Sequence, residues 1–190
     1  MKKLLFIVLT AVSISQTVKA QTGSVLVGGS IDFSSAKIPG TPTDTKSNSF
    51  SFSPTVGYQF NDNWTAGLVA GIGSSKTTYP NNTYKSSYFN AGPFIRYAKG
   101  ISNMFAVYGQ FQSTFGSGKT NGVKSSSANV TAFPALFINF KDSFGLNFTI
   151  GGIEYNSSKP SGDRATNQFN LTFGRSVGIG VSKNFGGRKK

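Results

Sequence analysis

Beyond its first twenty residues the chain is written in a period of two. The stretch Phe50-Ser51-Phe52-Ser53-Pro54-Thr55-Val56-Gly57-Tyr58-Gln59-Phe60 sets large apolar residues against small or polar ones. A pleated strand gives that period and a helix does not. Eight such runs follow one another: Gly23–Phe33, Phe50–Phe60, Trp64–Gly73, Ser87–Tyr97, Met104–Phe115, Val130–Phe140, Phe144–Tyr155 and a last one closing at Phe185. No helical stripe of comparable length appears after residue 20. Pro54, Pro93 and Pro134 fall on the apolar parity of their strands, where a missing N–H predicts a local bulge or bend.

The connections alternate in length. Asn61-Asp62-Asn63, Ala98 to Asn103 and Lys141-Asp142-Ser143 are short, whereas 34–49, 74–86, 116–129 and 156–174 are long and rich in Ser, Thr, Asn and Lys. Short turns at one end and long loops at the other are the plan of a membrane-spanning antiparallel barrel. The expected fold is therefore all-β: an eight-stranded, antiparallel, up-and-down transmembrane β-barrel.

The direction of the apolar face follows from the chemistry of the other one. A wet surface carries Lys, Glu, Asp and Arg, but here the polar face is mostly Gly, Ser, Thr, Asn and Gln. Such residues suit a cramped interior with neutral hydrogen bonding. The bulky face would overfill an eight-stranded barrel, so it is expected to meet lipid. Run lengths match the 9–11 residues or so that a tilted strand needs to cross hydrocarbon. Aromatic residues gather at the run ends, at Phe33, Phe60, Trp64, Phe89, Tyr97, Phe105, Phe115, Phe140, Phe144 and Phe185, with Tyr88 and Tyr155 beside them. These are the expected interfacial girdles.

The ends add the route. Residues 1–20 carry Lys2 and Lys3, an apolar stretch from Leu4 to Val12 and a small residue at Ala20, which reads as a cleaved export signal. Residues 21–185 form the barrel domain and 186–190 a basic tail. Removal of the leader leaves 16 of the 19 basic residues against 6 acidic ones, a net charge of +10. The lysines are scattered singly, with no nucleic-acid recognition motif, so anionic membrane lipid is the better physical partner.

Little catalytic chemistry is available. The chain has no histidine and no cysteine, which removes the commonest general base and the thiol nucleophile. Gly116-Ser117-Gly118-Lys119-Thr120 ends like a phosphate-binding loop, but Ser113 stands where the first glycine is needed and no helix follows. Asp32 and Glu154 lie near strand ends at the long-loop side. Arg96 has inward parity near the short-turn end, where a solvated mouth position is expected. The chain is expected to hold no cofactor and no metal, and to be no enzyme. Arg175, with Lys76, Lys85, Lys119, Lys124, Lys159 and Arg164 in the loops, is expected to meet the phosphates of lipopolysaccharide or other outer-membrane glycolipids.

The export signal, the eight alternating strands and the closing strand Val177-Gly178-Ile179-Gly180-Val181-Ser182-Lys183-Asn184-Phe185 resemble the small outer-membrane β-barrel proteins of Bacteroidetes-type bacteria. These form the outer membrane protein beta-barrel domain or porin family, of the OmpX/OmpA-barrel type. The resemblance implies a bacterial outer-membrane location reached through the periplasm. It also implies a terminal aromatic read by the barrel-assembly machinery, although Gly186 to Lys190 extend past Phe185. The expectation is a monomer acting in envelope structure or surface interaction through four long extracellular loops. A narrow porin and a secreted lipocalin-like carrier are the alternatives.

Overall fold

The structure, a computed structural model, describes residues 22–40 and 44–186, and the side chains of all of these except Arg175 and Ser176. The expected leader and all of the tail but Gly186 lie outside the described residues. Eight antiparallel strands close into one barrel: β1 (Ser24–Ile38), β2 (Thr45–Gln59), β3 (Trp64–Tyr79), β4 (Asn82–Gly100), β5 (Phe105–Thr120), β6 (Val123–Lys141), β7 (Phe144–Pro160) and β8 (Thr166–Gly186). Each strand pairs with its neighbours in sequence, and β8 returns to β1.

The expected parity holds. Val25, Val27, Val56, Tyr58, Leu68, Ile95 and Phe111 stand exposed on the outer wall, while Ser24, Gln59, Thr65, Gln110, Thr114 and Asn147 are buried inside. A soluble carrier would need the reverse arrangement. All ten girdle residues from Phe33 to Phe185 are exposed on the outer wall. Tyr88 is a correction: it points inward, where its ring lies against Gly73 and lines the central cavity.

The near end, which carries both described termini, is fixed by local chemistry. The Asn61 Oδ1 accepts from the backbone N–H of Asn63 and of Trp64, at 2.9 and 2.8 Å. This side-chain turn aims Trp64 onto the outer wall, edge-to-face with its cross-strand partner Tyr97 at 5.0 Å. Ser102 does the same for Phe105 through a 3.1 Å bond to its N–H.

The four long loops are not loops. The strands run 15 to 21 residues, well beyond the ~10 that cross hydrocarbon. The segments expected to be irregular are mostly strand, so the far end is a palisade of hairpins. Two of its connections have only two residues, Pro80-Asn81 and Asn121-Gly122. Asn121 and Gly122 have φ of 48° and 93°, the pattern of the turn whose twist matches a hairpin. The phosphate-loop-like run 116–120 is strand β5, which confirms its rejection.

The three prolines share one arrangement. Pro54, Pro93 and Pro134 pair with the preceding strand, opposite Gly29, Leu68 and Gly109. In each case the ladder to the following strand lapses beside the proline. At Pro134 the lapse is a true bulge, with one extra residue on β7. Gly151, at φ 123°, carries it, and the inward parity of β7 changes from Asn147 and Thr149 to Glu154 across it. On β8 the register with β7 jumps from Gly178 opposite Thr149 to Phe173 opposite Gly151.

The interior holds more bulk than the polar face implied. Leu26, Val69 and Phe94 are buried there as a small apolar cluster, with Tyr108 buried and Phe133 and Phe137 inward beside them. Arg96 is not a solvated mouth residue. Its Nε and Nη2 donate to Gln110 Oε1 at 2.9 and 2.6 Å, and its guanidinium lies 4.1 Å from the Tyr108 ring centre. Gln110 in turn donates to Gln112 at 2.8 Å.

Candidate lipid-headgroup interface

The strand register brings the lysines into an order that the linear sequence hides. Lys76 of β3 lies directly opposite Lys85 of β4. Lys119 of β5 lies opposite Lys124 of β6, and Lys37 of β1 opposite Lys46 of β2. All six have outward parity and are exposed, as is Lys159 on β7. Arg164 sits in the turn between β7 and β8, exposed near Lys159 in the sequence. The side chain of Arg175 lies outside the described residues. Its backbone falls in the stretch where β8 leaves its register with β7.

These cations stand at a fixed height. Lys37, Lys46, Lys76, Lys85, Lys119 and Lys159 each lie four residues farther out than an exposed apolar side chain of the same strand: Phe33, Phe50, Ile72, Phe89, Phe115 and Tyr155. Four residues at about 3.3 Å, on a strand tilted by 35–45°, raise each lysine by roughly 10 Å above that belt. Long apolar stems leave the ammonium groups free to reach down or up by several ångströms. The result is a basic collar on the outer wall, above the outer aromatic belt.

Like charges directly opposite one another destabilise a ladder, yet three of the four far-end hairpins carry such a pair. Among the described residues the one ion pair in this region is Lys37 with Asp44, at 2.7 Å. The remaining cations are presented, not neutralised. Lys37 and Lys46 were missed in sequence. The Asn-Gly turn at 121–122 was the available signal, since a two-residue hairpin fixes Lys119 against Lys124 and invites a search for the same pair on the other hairpins.

The other charged candidates lie inside. Asp32 accepts from Ser51 Oγ at 3.1 Å, and Glu154 from Asn129 Nδ2 at 2.6 Å. Both line a cavity of about 450 Å³ in the far half of the barrel. A smaller one of about 90 Å³ opens at the near end. Leu26, Arg96, Tyr108 and Ser182 line both, so they form the septum between them. The cramped interior expected from the small polar face is thus found at the septum and not above it.

A closed antiparallel eight-strand barrel, apolar outside and polar inside, belted by aromatic residues at two levels, is an integral barrel of the bacterial outer membrane. The chain belongs to the family described as outer membrane protein beta-barrel domain, whose model matches residues 4–185. Among solved structures it is similar to the translocator domain of autotransporter NalP from Neisseria meningitidis, at 15% identity and a TM-score of 0.44, covering 98% of this chain and 76% of that one. It is also similar to the Yersinia pestis outer membrane protein Ail in a phospholipid bilayer nanodisc, at 18% identity and a TM-score of 0.36, covering 86% and 99%. No curated protein matches the chain significantly.

Proposed function

We propose that this barrel is a non-enzymatic envelope protein that organises anionic glycolipid around itself through the basic collar. One observation carries the reading: lysines are set in direct opposition on the outer wall, at one height, against the preference of the ladder for unlike or neutral pairs. Phosphate groups shared between two ammonium ions would offset that repulsion. The lack of histidine and cysteine fits a role without chemistry, and the septum at Leu26, Arg96 and Tyr108 counts against a conducting pore. The collar lies close to the hairpin tips, with Lys119 and Lys124 one residue from the ends of their strands.

The test uses purified protein in nanodiscs, with lipopolysaccharide titrated in at several salt concentrations. The chain with Lys76, Lys85, Lys119 and Lys124 all changed to Gln should bind less lipopolysaccharide and show a shallower salt dependence. Equal binding by both proteins overturns the reading.

A further inference from the structure

The barrel is closed by a short seam. β1 pairs with β8 only from Ser24 opposite Gly186 to Gly29 opposite Val181, whereas β1 pairs with β2 along its whole length to Ile38. Among the described residues no ladder joins β1 to β8 above Gly29. This part of the wall lies at lipid depth, because Ile31 and Phe33 on one edge and Phe169, Leu171 and Phe173 on the other project outward. These five are the most exposed large apolar side chains among the described residues, at 66–76%.

A cavity lies on each side of the wall where the paired seam ends. The far-half lumen of about 450 Å³ and an outside groove of about 560 Å³ share the stretches Gly28 to Ser30 of β1 and Ile179 to Ser182 of β8. The groove is apolar, built on Val27, Ile31, Phe52, Phe144 and Phe185. The lumen side is polar, with Asp32, Gln112, Asn129, Thr131 and Glu154 around it and Arg96 at its floor. Gly28 and Gly180 let the two backbones pack closely where the ladder ends, whereas a Cβ at Gly178, farther along β8, would find only Thr149 within 4 Å.

We infer that the seam above Gly29 and Val181 is a lateral portal that admits a single-chain zwitterionic amphiphile from the bilayer, its hydrocarbon chain in the groove and its head in the lumen. Hydrocarbon alone cannot occupy this gap favourably, since each unsatisfied backbone group in lipid costs several kcal/mol. A polar head at the gap supplies partners to the free N–H and C=O groups of both edges, while its chain stays among the apolar side chains outside. The lumen also complements both signs of charge in such a head, with two carboxylates toward its mouth and a guanidinium at its floor. The groove opens on the lipid face, so the bilayer itself is the source.

The absence of cysteine makes the test clean. Continuing the seam register places Phe33 opposite Val177, both on the lipid face and away from the lumen groups, and a disulfide between Phe33→Cys and Val177→Cys draws the edges together. The variant in nanodiscs is exposed to lysophosphatidylcholine with a photoreactive group on its head, and labelled peptides are mapped. The reduced protein should be labelled in the lumen, at peptides holding Gln112 or Thr131. Oxidation should abolish that labelling and reduction restore it. A heat-shift gel verifies that the barrel has folded. Thr149→Trp, which fills the lumen behind the portal beside Gly178, is the second variant and should also lose lumen labelling while a chain-end probe still marks the groove. Lumen labelling that is absent from the reduced and unsubstituted proteins, or unchanged by oxidation, overturns the inference.

Discussion

Lys76 and Lys85 face each other across the β3–β4 ladder, on the outer wall, with their charges in direct opposition. Removing one of them separates two effects that act in opposite directions. In a zwitterionic detergent, Lys76→Ala should stabilise the barrel by about 0.2–1 kcal/mol, through relief of like-charge repulsion. In bilayers containing lipopolysaccharide the same change should lower the unfolding temperature relative to the unsubstituted chain, because a phosphate contact is lost. The heat-shift gel, run on both preparations over a temperature series, reads the two signs. A change of one sign in both media removes the case for the collar.

The septum predicts an electrical silence that can be broken. Arg96 and Tyr108 stand between the two interior cavities, and their truncation joins those cavities. The unsubstituted barrel should show no steady openings in planar bilayers, whereas Arg96→Ala combined with Tyr108→Ala should conduct. Steady openings of the unsubstituted chain favour the narrow-porin alternative.

Val56 lies midway along the apolar stretch of β2 between Phe50 and Phe60, opposite Val27 and Leu68. An arginine there puts a charge near the bilayer midplane and should cost about 2–4 kcal/mol. Urea titration of folding into phosphatidylcholine vesicles measures it. An unchanged midpoint places Val56 away from the hydrocarbon.

The turn between β6 and β7 stores a correctable strain. Asp142 and Ser143 have φ of 50° and 60°, a left-handed conformation that costs a residue with a Cβ about 1–2 kcal/mol. Ser143→Gly keeps the carbonyl that accepts from the N–H of Asn184 and should raise stability by roughly 1 kcal/mol. Urea midpoints of the two proteins decide it, and a lower midpoint for the glycine variant contradicts the turn geometry.

Where one strand face is apolar, the sequence was legible. The outward parity of β2, with Phe50, Phe52, Val56, Tyr58 and Phe60 exposed, is the one read from the chain alone. Where both faces are wet, it was not: segments such as 45–49 and 74–78 are polar on both sides, so no period marks them as strand. Inward bulk was hidden for the opposite reason. Phe94 sits between Pro93 and Ile95, and Phe133 and Phe137 sit in a nearly continuous apolar run, so the alternation is masked at the residues that build and neighbour the septum. The collar needed pairing, which depends on turn lengths that the polar stretches conceal. The seam needed the closure of the last strand on the first, and no local pattern encodes where that pairing stops.

The two-residue turns of the palisade have a consequence for what the cell surface offers to degradation. A protease must seat several residues of extended, unpaired chain in its cleft, and loop tips are where it ordinarily finds them. At Pro80-Asn81 and Asn121-Gly122 the backbone reverses and re-enters its ladder at once. A barrel built this way gives digestive enzymes almost no slack chain to grip at those two tips.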